Sequence, residues 1–196
     1  MTALERLIPN AQLIEIDRVE VGAPASRVWD DVRQGDLASS APIRALFRLR
    51  TLASREAGRD SSQIRIDSLR SSPHRPGFQV LAEDPPHEVA VGAIGKVWKL
   101  DIPFVHVADD TAFASFHEPG FVKVAWAIRV LDRGPNASHV EFEVRVAATD
   151  ATSWKRFRRY FRVIGPFSRY IRHSLLRGLA RNAVRAEGTR DGARAA

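Results

Sequence analysis

Between Thr149 and Glu187 the chain repeats apolar residues at three- and four-residue steps, and no other feature narrows the possible folds so far. Trp154, Phe157, Phe161, Ile164, Phe167, Ile171, Leu175 and Leu179 mark the repeat. At about 100° per residue they form one stripe, with most of the arginines opposite. The spacing predicts an amphipathic helix capped by Thr149 or Asp150. At ~1.5 Å per residue it is about 55 Å long. Gly165-Pro166 is expected to kink it. Such a helix needs an extended apolar surface to lie on.

That surface is legible upstream. Val122, Val124, Trp126, Ile128 and Val130 alternate with polar residues, as do Val140, Phe142, Val144 and Val146. Period two marks strands, here Phe121 to Leu131 and Ser138 to Ala147. Lys123, Arg129, His139, Glu141, Glu143 and Arg145 point the other way, predicting a sheet with one apolar and one solvated face. Turns at Pro119-Gly120 and Asp132 to Asn136 predict antiparallel neighbours. Further strands are expected at Phe78 to Glu83, Glu88 to Leu100 and Thr111 to Glu118. The glycines Gly92 and Gly95 inside a strand read as a bulge or bend. A first strand is expected at Leu13 to Val21. There Ile14 and Ile16 alternate out of phase with Val19 and Val21, a slip that a bulge would explain. After Gly22-Ala23-Pro24, a short helix covers Ala25 to Val32. A second opens at Pro42 with Ile43, Leu46, Phe47, Leu49 and Leu52 on its apolar side. Residues 60–76 read as loop.

The 196 residues suit one domain. We divide them into an N-terminal extension or short helix (1–11), the main domain (12–187) and a disordered tail (188–196). The chain has no cysteine, which excludes disulfides, thiolate zinc sites and cysteine nucleophiles and suits a reducing cytoplasm. It shows neither a signal-peptide-like start nor an apolar run of the ~20 residues that span a bilayer. The net charge is +7, and residues 150–187 alone carry ten Lys/Arg against two acids. The positive excess therefore lies on the long helix.

The order strand, two short helices, antiparallel strands and one long C-terminal helix resembles the helix-grip order of the START-like, or SRPBCC, superfamily. That superfamily includes lipid-transfer domains, the birch-pollen-allergen family and polyketide cyclases. The resemblance covers roughly residues 12–187. At motif level the chain is similar to a bacterial subgroup of unassigned function, through Phe113 to Trp126, Glu143-Val-Arg-Val146, Phe157-Arg-Arg-Tyr-Phe161 and Ile171-Arg172. It departs from that pattern at Phe142 and Val144, within Phe142-Glu143-Val144-Arg145, and at Phe161. The resemblance implies an α+β fold, a curved antiparallel sheet wrapped around the long helix, with a cavity between them.

A cavity there is expected to be lined by Trp98, Phe113, Phe116, Trp126, Phe142, Trp154, Phe157 and Phe161, residues that core packing also uses. The function expected is binding of a small hydrophobic ligand: a lipid, an isoprenoid or a polyketide-like compound. A cyclase/aromatase-type enzyme is the alternative, and needs polar groups facing the cavity. His117 and Glu118, at a strand end before a turn, are the catalytic candidates, though a solvated strand end explains them more simply. Glu143 and Arg145 read as a surface pair. There is no His-Glu-x-x-His and no close histidine pair, so neither a metal nor a cofactor is expected. The basic face, with Lys155, Arg158, Arg159, Arg162 and Arg169, reads first as a solubilising surface. Contact with anionic membrane lipid is its second reading. A nucleic-acid partner is not expected, because no recognition motif is present.

Overall fold

The computed structural model describes residues 1–35, 65–66 and 69–194, with side chains as far as Arg181. The helix expected from Pro42 lies outside the described residues. In chain order the elements are α1 (Ala3–Leu7), β1 (Leu13–Val21), α2 (Ala25–Gln34), β2 (Gln79–Asp84), β3 (Glu88–Gly95), β4 (Phe104–Val105), α3 (Asp110–Ser115), β5 (Val122–Asp132), β6 (Ser138–Ala148) and α4 (Ala151–Arg194). All pairings in the sheet are antiparallel, in the order β1-β6-β5-β3-β2, with β4 paired to β3.

The long helix forms where the apolar repeat places it. Asp150 holds its first turn, accepting from the Ser153 backbone N–H (2.9 Å) and hydroxyl (2.6 Å) and from Gly120 N–H (2.6 Å). Those hydrogen bonds hold the Asp150 carboxyl at about 2, below its usual range. Pro166 sits inside a continuous helix, so Gly165-Pro166 does not break it. Its backbone is helical to Arg194, past the end expected at Glu187.

α4 runs back over β6, so its two halves meet different parts of the sheet. Leu175, Leu176 and Leu179 join α2 (Val28, Trp29, Val32), Val130, Val140 and the stacked pair Trp126–Phe142. Phe157 packs instead with Val97, Val122 and Val146, with Trp154 and Phe161 stacked on it at 5.6 and 5.3 Å. The aromatic rings therefore form two clusters.

Three expectations fail for physical reasons. Thr111 to Glu118 is largely helix, because Asp109 caps α3 through the Ala112 N–H at 2.7 Å. The register of β1 on β6 is continuous, without a bulge, so Val19 and Val21 face the helix and carry Glu15 and Asp17 inward with them. Ile14 and Ile16 are 49% and 40% exposed on the other side. That other side of the sheet is also covered. Ala3, Leu4, Leu7 and Ile8 pack with Phe113 of α3 onto Ala90, Ile94, Ala125 and Ala127 as a second core. Gly92 lies on the same face, where a Cβ would stand 2.5 Å from Leu81 and 3.1 Å from the Phe113 ring. Close packing requires the glycine, against Leu81 where the pairing of β2 with β3 shifts register between Val80 and Ala82.

Candidate functional site

Where the start of β1 meets the first turns of α4, the packing leaves a pocket of about 270 Å³. Its walls are Gln12, Leu13, Trp154, Phe157, Phe161, Arg158 and Arg162. The rings come from one helix face at i, i+3 and i+7, so the periodicity that builds the core also builds the apolar wall. Phe157 is buried, while Trp154 and Phe161 are half-buried. Arg158 and Arg162 stand one helical turn apart and exposed, two cations at the rim of an aromatic surface. The Gln12 side-chain oxygen accepts from Ala148 N–H at 2.8 Å, which fixes the neighbouring wall to the end of β6.

Of the eight aromatics expected to line a cavity, only Trp154, Phe157 and Phe161 border this pocket. Trp98 packs in the Phe157 cluster beyond its wall. Trp126 and Phe142 stack face to face, 5.5 Å apart, within the packed cluster under the helix's second half. Phe113 and Phe116 are on the opposite side of the sheet, Phe113 fully buried and Phe116 edge-on to Phe121. The exchange of strand for helix at 110–115 puts them there. Lys155, Arg158, Arg159, Arg162 and Arg169 are all exposed, as the wheel requires.

Two ionic constellations were not legible as such. The first lies under α4. Arg172, 3% exposed, donates from Nε to Asp17 (2.5 Å) and from Nη1 to Ser168 (2.9 Å), and its Nη2 is 2.7 Å from Glu15. His173 Nε2 meets the other Asp17 oxygen at 2.9 Å. Burial pushes the Asp17 carboxyl up, but the hydrogen bond and charge of Arg172, with His173, outweigh it and hold the group below its ordinary value. The second lies between the sheet and α1. Arg129 pairs with Glu141 and, at 2.6 Å, with Glu143, and Arg145 donates to Glu143 at 2.6 Å. Glu88 accepts from the Ala3 N–H at 3.1 Å. Glu143 is 2% exposed and Arg145 partly buried, so they are not the surface pair expected. Burial disfavours the Arg129 charge, yet Glu141 and Glu143 raise its pKa above the ordinary value. Each carboxylate in these networks is bound to a guanidinium, an arrangement that orders backbone rather than supplying a proton.

His117 and Glu118 are exposed. The His117 Nδ1 lies 2.8 Å from the Ser115 carbonyl, and neither residue borders the pocket. Their placement after a helix, not at a strand end, turns them to solvent. Among the described residues no group of three or more His, Cys, Asp or Glu side chains gathers as a metal site. No helix among them is long and apolar enough to cross a membrane.

No family model matches the chain, and no curated protein is similar to it. Among solved structures, a point mutant of norcoclaurine synthase from Thalictrum flavum is similar at 11% identity. The match covers 89% of this chain and 96% of that one, with a TM-score of 0.40. A conserved protein from Geobacillus kaustophilus matches at 10% identity over 89% and 97%, TM-score 0.39. CalU16 from Micromonospora echinospora matches at 13% over 88% and 84%, TM-score 0.31. The fold assignment rests on the chain's own connectivity: a first strand at the edge of an antiparallel sheet, the last strand beside it, and a long terminal helix lying back across both. The protein has the helix-grip, START-like fold.

Proposed function

We propose that the chain binds a small amphipathic anion, its apolar body against Trp154, Phe157 and Phe161 and its acidic end at Arg158 and Arg162. The observation that carries this reading is the pairing of three stacked rings with two exposed cations around one pocket. Aromatic walls with a few placed polar groups are the usual composition of a small-molecule site. The volume of about 270 Å³ stands just under the usual range of about 300–1,000 Å³. It suits a compact ligand, or the headgroup end of a longer one such as a fatty acid or an acidic polyketide-like compound. Binding without turnover is the reading favoured, because among the described residues no carboxylate or histidine borders the pocket.

The test uses two dyes on the whole chain. Anilinonaphthalene sulfonate should bind with enhanced fluorescence and be displaced by a fatty acid. Arg158→Gln with Arg162→Gln should weaken its binding about tenfold or more, the contribution of a charge-assisted hydrogen bond or two. Nile red, which is neutral, should bind the variant and the native chain alike. Equal loss of both dyes, or no binding of either by the native chain, would overturn the proposal.

A further inference from the structure

The apolar stripe expected on α4 includes Phe167, yet that ring lies outside the core, as do Val163 and Tyr170, which are not part of the stripe. Val163 is 65% exposed, Phe167 56% and Tyr170 53%. On the wheel, at about 100° per residue, Phe167 lies about 80° from the centre of the buried stripe, and Val163 and Tyr170 lie farther round still. These three share one outward sector with Arg156, Arg159 and Arg177, all exposed. Read along the helix, that sector is basic, then apolar, then basic again. From Ala151 to Ala180 α4 contains no acidic residue at all.

We propose that this face of α4 docks in the interfacial layer of an anionic lipid bilayer. An interfacial helix lies in the plane of the membrane with aromatic and aliphatic groups pressed into the headgroup boundary and Lys or Arg on its flanks. Val163, Phe167 and Tyr170 supply the apolar centre, and Tyr170 adds a hydroxyl suited to the wet edge of that layer. The arginine stems can lie along the boundary while the guanidiniums reach phosphates. Charge complementarity favours this occupant over a second copy of the chain. A two-fold contact would place the same patch on both partners and set arginine against arginine. The proposal is independent of the pocket: Val163, Phe167, Tyr170, Arg156, Arg159 and Arg177 do not border it.

The absence of cysteine makes a direct test simple. Phe167→Cys, labelled with an environment-sensitive dye, should shift to the blue on adding phosphatidylserine-containing vesicles. It should not shift with pure phosphatidylcholine. The same label at Ile14→Cys, exposed on the opposite side of the sheet, should not respond. Sedimentation with the same vesicles measures affinity. Arg156→Gln with Arg159→Gln should weaken it roughly tenfold or more, since each basic group near an anionic surface contributes about fivefold. Phe167→Ser with Tyr170→Ser should also weaken it by about tenfold. Both pairs should melt at the native temperature, because the altered groups are solvent-exposed. Raising the salt from about 0.1 M to about 1 M shortens the Debye length from ~10 Å to ~3 Å and should release the protein. Equal recovery with neutral and anionic vesicles would overturn the proposal. So would native-like binding by the Ser pair. Dimerisation that the Ser pair abolishes, with no vesicle binding, would assign the face to a second copy and overturn it too.

Discussion

Replacing Arg172 by Met should cost far more than its place on a charged helix suggests. The guanidinium is 3% exposed and is shared by Glu15 and Asp17, themselves 16% and 13% exposed. Removing it leaves two carboxylates beneath the helix with only the half-exposed His173 on Asp17 and the exposed Arg169, 3.5 Å from Glu15, beside them. Breaking a buried pair from one side costs about 3–5 kcal/mol, because the remaining charge stays desolvated. In a chain of this size each kcal/mol moves the melting temperature by about 2–4 °C, so a fall of roughly 6–20 °C is expected. Urea denaturation and thermal melts near neutral pH give both numbers. The pH dependence gives a second handle. In the native chain the Asp17 carboxyl lies below its unfolded value. Its contribution is therefore present above the unfolded pKa of about 4 and is lost as pH falls through the folded value. With Arg172 gone, burial dominates and the folded value rises above the unfolded one. The contribution then holds at low pH and is lost as pH rises, so the gap between variant and native chain should narrow on acidification toward about pH 4. Adding Glu15→Leu and Asp17→Val to Arg172→Met should recover most of the stability, since apolar replacement of a whole buried pair is often neutral. A loss under about 1 kcal/mol in the single variant, the scale of an exposed ion pair, would refute the reasoning.

Other perturbations test the rest of the architecture. Phe113→Ala should cost about 3–5 kcal/mol by urea denaturation, as the truncation of a fully buried ring. Phe157→Ala, 3% exposed, should cost about as much, and Phe161→Ala, half-buried at the pocket wall, should cost less by the same assay. Glu143→Gln should lose about 1.5–3 kcal/mol, because it weakens charge-assisted hydrogen bonds to Arg129 and Arg145 while Arg129 keeps Glu141 and Arg145 keeps Glu5. Asp150→Ala should lower the melting temperature near neutral pH. In the native chain, melts taken through the acid range should show the Asp150 contribution fade between about pH 4 and its folded value of about 2.

Strong local patterns carried the sheet and its helix. The alternations at 122–130 and 140–146 name β5 and β6 almost to the residue, and the apolar steps of 154–179 name the start of α4, because each buries one face against the other. What escaped depends on distant partners. Asp109-Asp110-Thr111 is a capped helix start, but Thr111 to Glu118, closed by the Pro119-Gly120 turn, reads as a strand until the cap is weighed. The charged side of β5 and β6 reads as solvated because nothing in those strands announces that α1 will close over it. The fit of α1 is set by Ala3, Leu4, Leu7 and Ile8, far along the chain from the strands they cover. The pocket was legible in kind, through Trp154, Phe157 and Phe161, but not in place. Phe167 lies near the edge of the apolar stripe on the wheel, and that angle was the signal against placing it in the core with the other seven.

The ionic cluster under α4 explains why β1 takes the register it does. Apolar alternation alone leaves the strand divided: Ile14 and Ile16 argue for one face, Val19 and Val21 for the other. A strand has one alternation unless a bulge interrupts it, and a slip of one residue would exchange every side chain between faces. The continuous pairing of Leu13 with Val146 through Val21 with Ser138 resolves the conflict in favour of the valines. It leaves two isoleucines partly in water, at a cost of order 1 kcal/mol each. It also brings two carboxylates beneath a helix, which no apolar surface would tolerate. Arg172 and His173 make that placement acceptable, one helix position inside the buried stripe and one at its edge. In the alternative register Glu15 and Asp17 would face away from α4, and Arg172 would lose both of the carboxylates it now meets. The cluster thus penalises the slipped pairing through both strand and helix. Its net stabilisation can be small while its hold on the register is large. That register sets Leu13 facing inward beside the first turns of α4, where it forms one wall of the pocket.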